Sequence, residues 1–229
     1  MRRIGVRVAT LGAVILVGVP AVAALLKGTV ALPGGFRPVA PRHATYWRIE
    51  NGLLPIAPPL RDPRTEMVAY LEGGAVPPAA EATVVIELNG YRFDPRVVVV
   101  AAGGNVEFKN TGRVGHVIYD KQKVMTPGSV KPGESRKQKY HAEGEYEIRE
   151  EEFPHMRAVV KVLPTPLFAR PDDKGVFKIN NVPEGKWTAK VWYRGEVLAS
   201  DTVEVGAQGG EVVLRVPPQD SRTAAAGKR

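Results

Sequence analysis

Between Thr83 and Leu163 the chain is a series of short β-prone segments set at regular intervals, and this spacing restricts its fold more than any other feature. Candidate strands lie at 83–88, 96–101, 105–109, 116–119, 135–141, 145–149 and 157–163, with Gly- and Pro-containing stretches between them. Segments this short cannot carry the 3.6-residue periodicity of an amphipathic helix, whereas turns at such intervals suit an all-β sandwich. A further strand is expected at 67–71 (MVAYL), apolar on both faces and ended by Gly73-Gly74 and Pro77-Pro78. The 24 Gly and 20 Pro fit many strands joined by turns.

The amino end is of a different kind. Arg2, Arg3 and Arg7 flank or precede an uncharged stretch from Val8 to Leu26, and Ala21-Val22-Ala23 matches a small-x-small cleavage signal. Residues 1–26 therefore read as an export signal or a membrane anchor, which implies a periplasmic or secreted protein. If retained, residues 8–26 would form a tether, since nineteen uncharged residues approach the ~20 that span a hydrocarbon core. Pro20 and the Ala-Val-Ala step favour cleavage. Without the first 23 residues the balance is 29 basic against 24 acidic side chains, an excess too mild to imply a nucleic-acid partner. The chain has no cysteine, which excludes disulfides, a lipobox, c-type haem attachment and any thiolate metal site. No nucleophile elbow, phosphate-binding Gly loop, HExxH or dinucleotide fingerprint occurs, so no enzyme activity is expected.

Residues 27–80 read as a Pro-rich lead with one short strand, because seven prolines between residues 33 and 63 interrupt regular hydrogen bonding. Residues 81–163 form a first β unit, and Leu163-Pro164-Thr165-Pro166 marks its boundary. A second unit is expected over 164–217, with strands at 176–179, 187–193, 203–205 and 212–216. In it, Trp187, Ala189, Val191 and Tyr193 share one face and Trp192 lies on the other, so that one of the two tryptophans is expected in the core and the other over the junction between units. Residues 218–229 are small, polar and basic, and read as a disordered tail.

The stretches FDPRVVVVAAGGNVEFKNTGRVGHVIYD and KPGESRKQKYHAEGEYEIREEEFPHM resemble plastocyanin-like cupredoxins, in particular periplasmic proteins of the methylamine-utilisation type. The resemblance implies a Greek-key sandwich whose copper ion would be held by two histidines, a thiolate and a weak axial methionine. His116 falls at the first histidine position and Met156 at the axial methionine. Glu150 stands where the family has its thiolate, and Phe153 where it has the second histidine. The second unit resembles the transthyretin-like or carboxypeptidase-regulatory-like sandwich that follows such domains, with Trp192-Tyr193 in place of the family's Trp-His.

These readings lead to an exported, non-catalytic binding or assembly module with a degenerate copper site, no cofactor, and a protein partner in the cell envelope. The first alternative is a carrier of copper or another divalent ion using His116 with Glu150 and Met156. Glu151, Glu152 and His155 could add oxygen and nitrogen ligands to such a set, although successive strand residues cannot all point inward. The second alternative is an electron carrier, which the missing thiolate opposes. Lys131, Arg136, Lys137 and Lys139 are expected to face Glu143, Glu145 and Glu147 across a hairpin turning at Gly144, so that charge pairing alone accounts for both runs.

Overall fold

The computed structural model describes residues 24–36, 62–79 and 81–218. Most of the segment read as a leader, the greater part of that read as a Pro-rich lead and nearly all of that read as a tail lie outside these residues. The described chain is all-β apart from one 3-10 turn at Pro63–Glu66. Two strands come first, β1 (Ala24–Ala31) and β2 (Val68–Glu72). Nine follow: β3 (Thr83–Leu88), β4 (Phe93–Asp94), β5 (Val97–Ala101), β6 (Gly104–Asn110), β7 (His116–Asp120), β8 (Gly128–Val130), β9 (Ser135–Tyr140), β10 (Gly144–Glu150) and β11 (Arg157–Leu163). The last five are β12 (Phe168–Ala169), β13 (Val176–Val182), β14 (Gly185–Tyr193), β15 (Glu196–Val205) and β16 (Gly210–Arg215).

The strands form four sheets, ordered β4-β3-β6-β9, β5-β11-β10-β7-β8, β12-β2-β14-β15 and β13-β1-β16. The first two make one sandwich around Ile86, Phe108, Ile118, Tyr140, Ile148 and Val160. The last two make another around Leu26, Leu71, Phe177, Trp187, Val191 and Leu214. A third apolar cluster joins Val68, Tyr70 and Trp192 of the second sandwich to Val99 and Leu163 of the first. The four sheets therefore stack in sequence, with β5 and the end of β11 covered on both faces.

This stacking accounts for MVAYL. Met67, Ala69 and Leu71 enter the core of the second sandwich, while Val68 and Tyr70 face the junction. Both faces lose contact with water, and burying a single large aliphatic side chain stabilises by ~1.5–3 kcal/mol. Of the two tryptophans, Trp187 is the one in the core and Trp192 the one in the junction, where its indole Nε1 donates to Glu145 Oε1 at 3.0 Å.

The structure corrects the organisation expected over 27–80. β1 and β2 belong to the second sandwich: β1 lies between β13 and β16, and β2 pairs with β14. The second unit is thus built from both sides of the first, which is inserted between β2 and β12, and residues 164–217 supply only part of it. Ala24–Leu26, expected to end the export signal or anchor, is strand instead, with Ala24 and Leu26 buried. Gly28 suits this central position, since a Cβ there would fall 2.0 Å from the Phe177 ring that crosses it.

The expected Lys–Glu hairpin is also corrected. β9 pairs with β6 and β10 pairs with β11 and β7, so the Gly144 turn carries the chain from one sheet to the other. Tyr140 and Tyr146 on either side of it turn inward, ring centroids 4.7 Å apart, and their burial outweighs exposed charge pairing. Lys137 instead faces Glu107 across β6 at 3.8 Å, and Lys139 reaches Glu81 at 3.3 Å.

Candidate metal centre

The site lies at one end of the first sandwich, and Asn110 organises the loop that reaches it. Its buried amide Nδ2 donates to Val114 O at 2.7 Å and Val130 O at 2.8 Å, while Oδ1 accepts from Gly112 N at 3.0 Å. One side chain thereby satisfies a turn that would otherwise bury unpaired backbone groups. The loop delivers His116 as the first residue of β7, opposite Val130 on β8.

Glu150 closes β10 opposite Ile118. Its Oε1 accepts from Val117 N at 3.2 Å and its Oε2 from Phe153 N at 2.5 Å. His116 Nδ1 stands 3.7 Å from Glu150 Oε1, and both side chains are almost fully buried. That separation is too long for a hydrogen bond, and both ring nitrogens of His116 are buried without a partner. Phe153 meets the imidazole edge-on, with centroids 6.0 Å apart, and exposed Tyr91 covers Phe153 at 4.7 Å. A turn returns Met156 N to Phe153 O at 2.8 Å and sends the Met156 side chain into the apolar core.

The structure thus brings His116, Glu150 and Phe153 together, with Met156 three residues beyond Phe153 and buried in the core. Glu151 and Glu152 are exposed, so only the first of the three glutamates faces inward. His155, half-buried, packs its ring 6.1 Å from that of Phe153. Among the described residues no group of three or more His, Asp and Glu is placed to hold a metal ion. The side chains do not fit a type 1 copper ion: the chain has no thiolate, and the residues beside His116 offer one carboxylate and an aromatic ring rather than a second imidazole. The Glu150 carboxylate is already engaged on both oxygens by backbone N–H groups.

Two buried polar groups elsewhere in the first sandwich were not singled out as site residues in the sequence. Asp120 ends β7 with its carboxylate accepting from Val124 N at 3.0 Å and from Met125 N, which folds the 121–127 loop back. Tyr140 lies fully buried with an unpartnered hydroxyl, and burial, reinforced by the Asp120 charge, pushes its phenol well above the usual tyrosine range. An Asp followed by turn residues was the available signal for the first; nothing local in the sequence marks the second.

No protein-family model matches the chain, and no curated protein matches it. Solved structures similar to it include amicyanin from Paracoccus versutus, with 19% identity over 35% of this chain and 81% of amicyanin and a TM-score of 0.34. A copper-containing nitrite reductase from Thermus scotoductus shows 21% identity over 36% of this chain and 22% of its own, with a TM-score of 0.33. A purple cupredoxin from Nitrosopumilus maritimus shows 20% identity over 36% of this chain and all of its own, with a TM-score of 0.32. The neighbours are cupredoxins and span about a third of the chain; the all-β architecture itself rests on the strand order given above.

Proposed function

We propose that the protein is an exported, non-catalytic binding or assembly module of the cell envelope, in which a cupredoxin-like unit has exchanged its copper position for a hydrogen-bonding clamp. The observation that carries this reading is the Glu150 carboxylate. It stands where the resemblance puts a thiolate, and it accepts from Val117 on β7 and Phe153 on the 151–156 loop. Each such bond contributes ~0.5–1.5 kcal/mol net, so one side chain ties the two elements together without a bound ion. The absence of recognisable catalytic motifs supports a non-catalytic role, and a protein partner in the envelope follows from reading the chain as an exported scaffold. The second unit, a sandwich of a three-stranded and a four-stranded sheet, supports the transthyretin-like reading.

A second reading draws on the two unpartnered nitrogens of His116. It makes the protein a carrier of copper or another divalent ion, held by His116 with Glu150 and Met156. Metal analysis of the protein purified from the envelope fraction separates the two. The clamp predicts no stoichiometric copper, zinc or manganese, whereas about one ion per chain, lost in a His116→Ala variant, would establish the carrier and overturn the clamp.

A further inference from the structure

We infer that Asn89 is a self-modifying site, where the backbone nitrogen of Gly90 displaces the side-chain amide in the folded protein and leaves aspartate and isoaspartate in the turn beside the candidate metal centre. Asn89 follows β3 and Arg92 precedes β4, and Asn89 N donates to Arg92 O at 3.1 Å across the turn. Gly90 is the first of the two central residues and has φ +59°, the position and sign for which such a turn selects glycine. The same glycine exposes its neighbour. Asparagine is a thermolabile side chain, and with no Cβ on the next residue the following backbone nitrogen can close on it. Asn105, Asn110, Asn180 and Asn181 are instead followed by Val106, Thr111, Asn181 and Val182. Asn89 is exposed, a Cβ added to Gly90 would meet nothing within 4 Å, and among the described residues no backbone hydrogen bond engages the Gly90 nitrogen. The turn therefore has both the nucleophile and the room to deform.

In the reaction the Gly90 nitrogen gives its proton to water and forms a bond to Asn89 Cγ, and the side-chain nitrogen leaves as ammonia. The product is a cyclic succinimide. Water then adds to one of its two carbonyl carbons and the ring opens. Breaking the bond from nitrogen to Cγ gives aspartate, whereas breaking the bond from nitrogen to the backbone carbonyl carbon gives isoaspartate. In isoaspartate the main chain runs through the former side chain and is one methylene longer. Overall one water is consumed and one ammonia released, with no change of oxidation state.

The added methylene falls in a turn that is fixed on both sides. On one side Leu88 O accepts from Thr111 N at 3.0 Å and Gly112 N at 3.1 Å, and a Cβ on Gly112 would stand 2.9 Å from Gly90 N, so the turn lies against the loop that leads to His116. On the other side Tyr91 covers Phe153 with ring centroids 4.7 Å apart, and Phe153 meets the His116 imidazole edge-on. Isoaspartate at residue 89 must shift Tyr91 from Phe153 or displace the 111–115 loop. Either movement loosens the packing around His116. Aspartate keeps the main-chain length and adds only an exposed charge.

The test is peptide mapping by mass spectrometry of the purified, folded protein during incubation at mildly alkaline pH, with isoaspartate detected by an isoaspartyl methyltransferase. Peptides carrying the second Asn-Gly pair, Asn51-Gly52, are followed separately because it lies outside the described residues. Asn89 is expected to lose its amide ahead of Asn105, Asn110, Asn180 and Asn181 and to yield isoaspartate, while an Asn89→Gln variant, which must close a larger ring, stays intact over the same time. An Asn89 amide that outlasts those four, or one lost only after the chain is unfolded in guanidinium, would overturn the site. The isoaspartyl form, separated by ion exchange, is then compared with an Asn89→Asp variant by nuclear magnetic resonance. Shifted ring signals of Tyr91, Phe153 and His116 in the isoaspartyl form alone are the expected result. Unchanged signals in both forms, or equal shifts in both, would overturn the effect of the added methylene.

Discussion

Glu150 turns its carboxylate inward at the end of β10, and removing it would leave the N–H groups of Val117 and Phe153 without their acceptor. An unsatisfied buried donor costs ~1–3 kcal/mol. Glu150→Ala is therefore expected to lower the unfolding free energy by about 2–5 kcal/mol in urea titrations, while Glu151→Ala and Glu152→Ala stay within ~0.5 kcal/mol as exposed changes do. Tyr140 gives a second residue-scale expectation. Its phenol is raised by burial first and by the Asp120 charge next, so the folded state holds the proton beyond the pH at which the unfolded chain releases it. The stability this supplies is complete below the unfolded pKa of ~10 and is lost as pH rises above it. Tyr140→Phe also removes an unpartnered hydroxyl. The variant should match or exceed the wild type near neutral pH and lose less stability between about pH 9 and pH 11; an identical alkaline decline in both would contradict this.

Among the elements, β9 and β10 show where local reasoning reaches its limit. The alternation of charge on either side of Gly144 suggests a hairpin, yet Tyr140 and Tyr146 both have to reach the core between the sheets. A double-mutant cycle on Lys137 and Glu107 is expected to give ~0.2–1 kcal/mol, reduced by the exposure of the lysine. The same cycle on Lys139 and Glu145, which belong to different sheets, should give no coupling, and a clear coupling there would restore the hairpin. Strands with a distinct apolar face, such as β3, β6, β7 and β11, were legible within a residue or two. β4, β8 and β12 were not, because two or three residues carry no period. β1 was hidden for another reason: Ala24–Leu26 continues the uncharged run that begins at Val8, so the sequence carries no mark where the strand lies.

For the whole molecule the consequence is a second sandwich that its own carboxy-terminal sequence cannot complete. Sequence shows the Leu163–Pro166 boundary, but only the sheet order reveals that β1 and β2 return to pair beyond it. Residues 164–229 expressed alone would lack the central strand between β13 and β16 and the partner of β12 and β14. Circular dichroism and amide exchange are expected to find that fragment unfolded, and a cooperatively folded fragment would contradict the shared construction. The candidate site was legible to the same depth. Its positions could be read off the sequence, whereas the use of Glu150 as a backbone acceptor depends on the meeting of β7, β10 and the 151–156 loop, which are apart in sequence.

Residue, strand and molecule come together in the convergence of His116, Glu150 and Phe153, and the absorption spectrum of the copper-loaded protein tests it most directly. The wild type should show no intense blue charge-transfer band with Cu²⁺, because a carboxylate and one imidazole cannot supply it. Glu150→Cys with Phe153→His restores a thiolate and a second imidazole beside His116, and each change alone is insufficient. The packing loss at Phe153, up to ~3 kcal/mol, requires circular dichroism to confirm folding first. A folded double variant that turns blue on binding one Cu²⁺ is the predicted result; a folded double variant that takes up copper without the band would show that these positions do not converge.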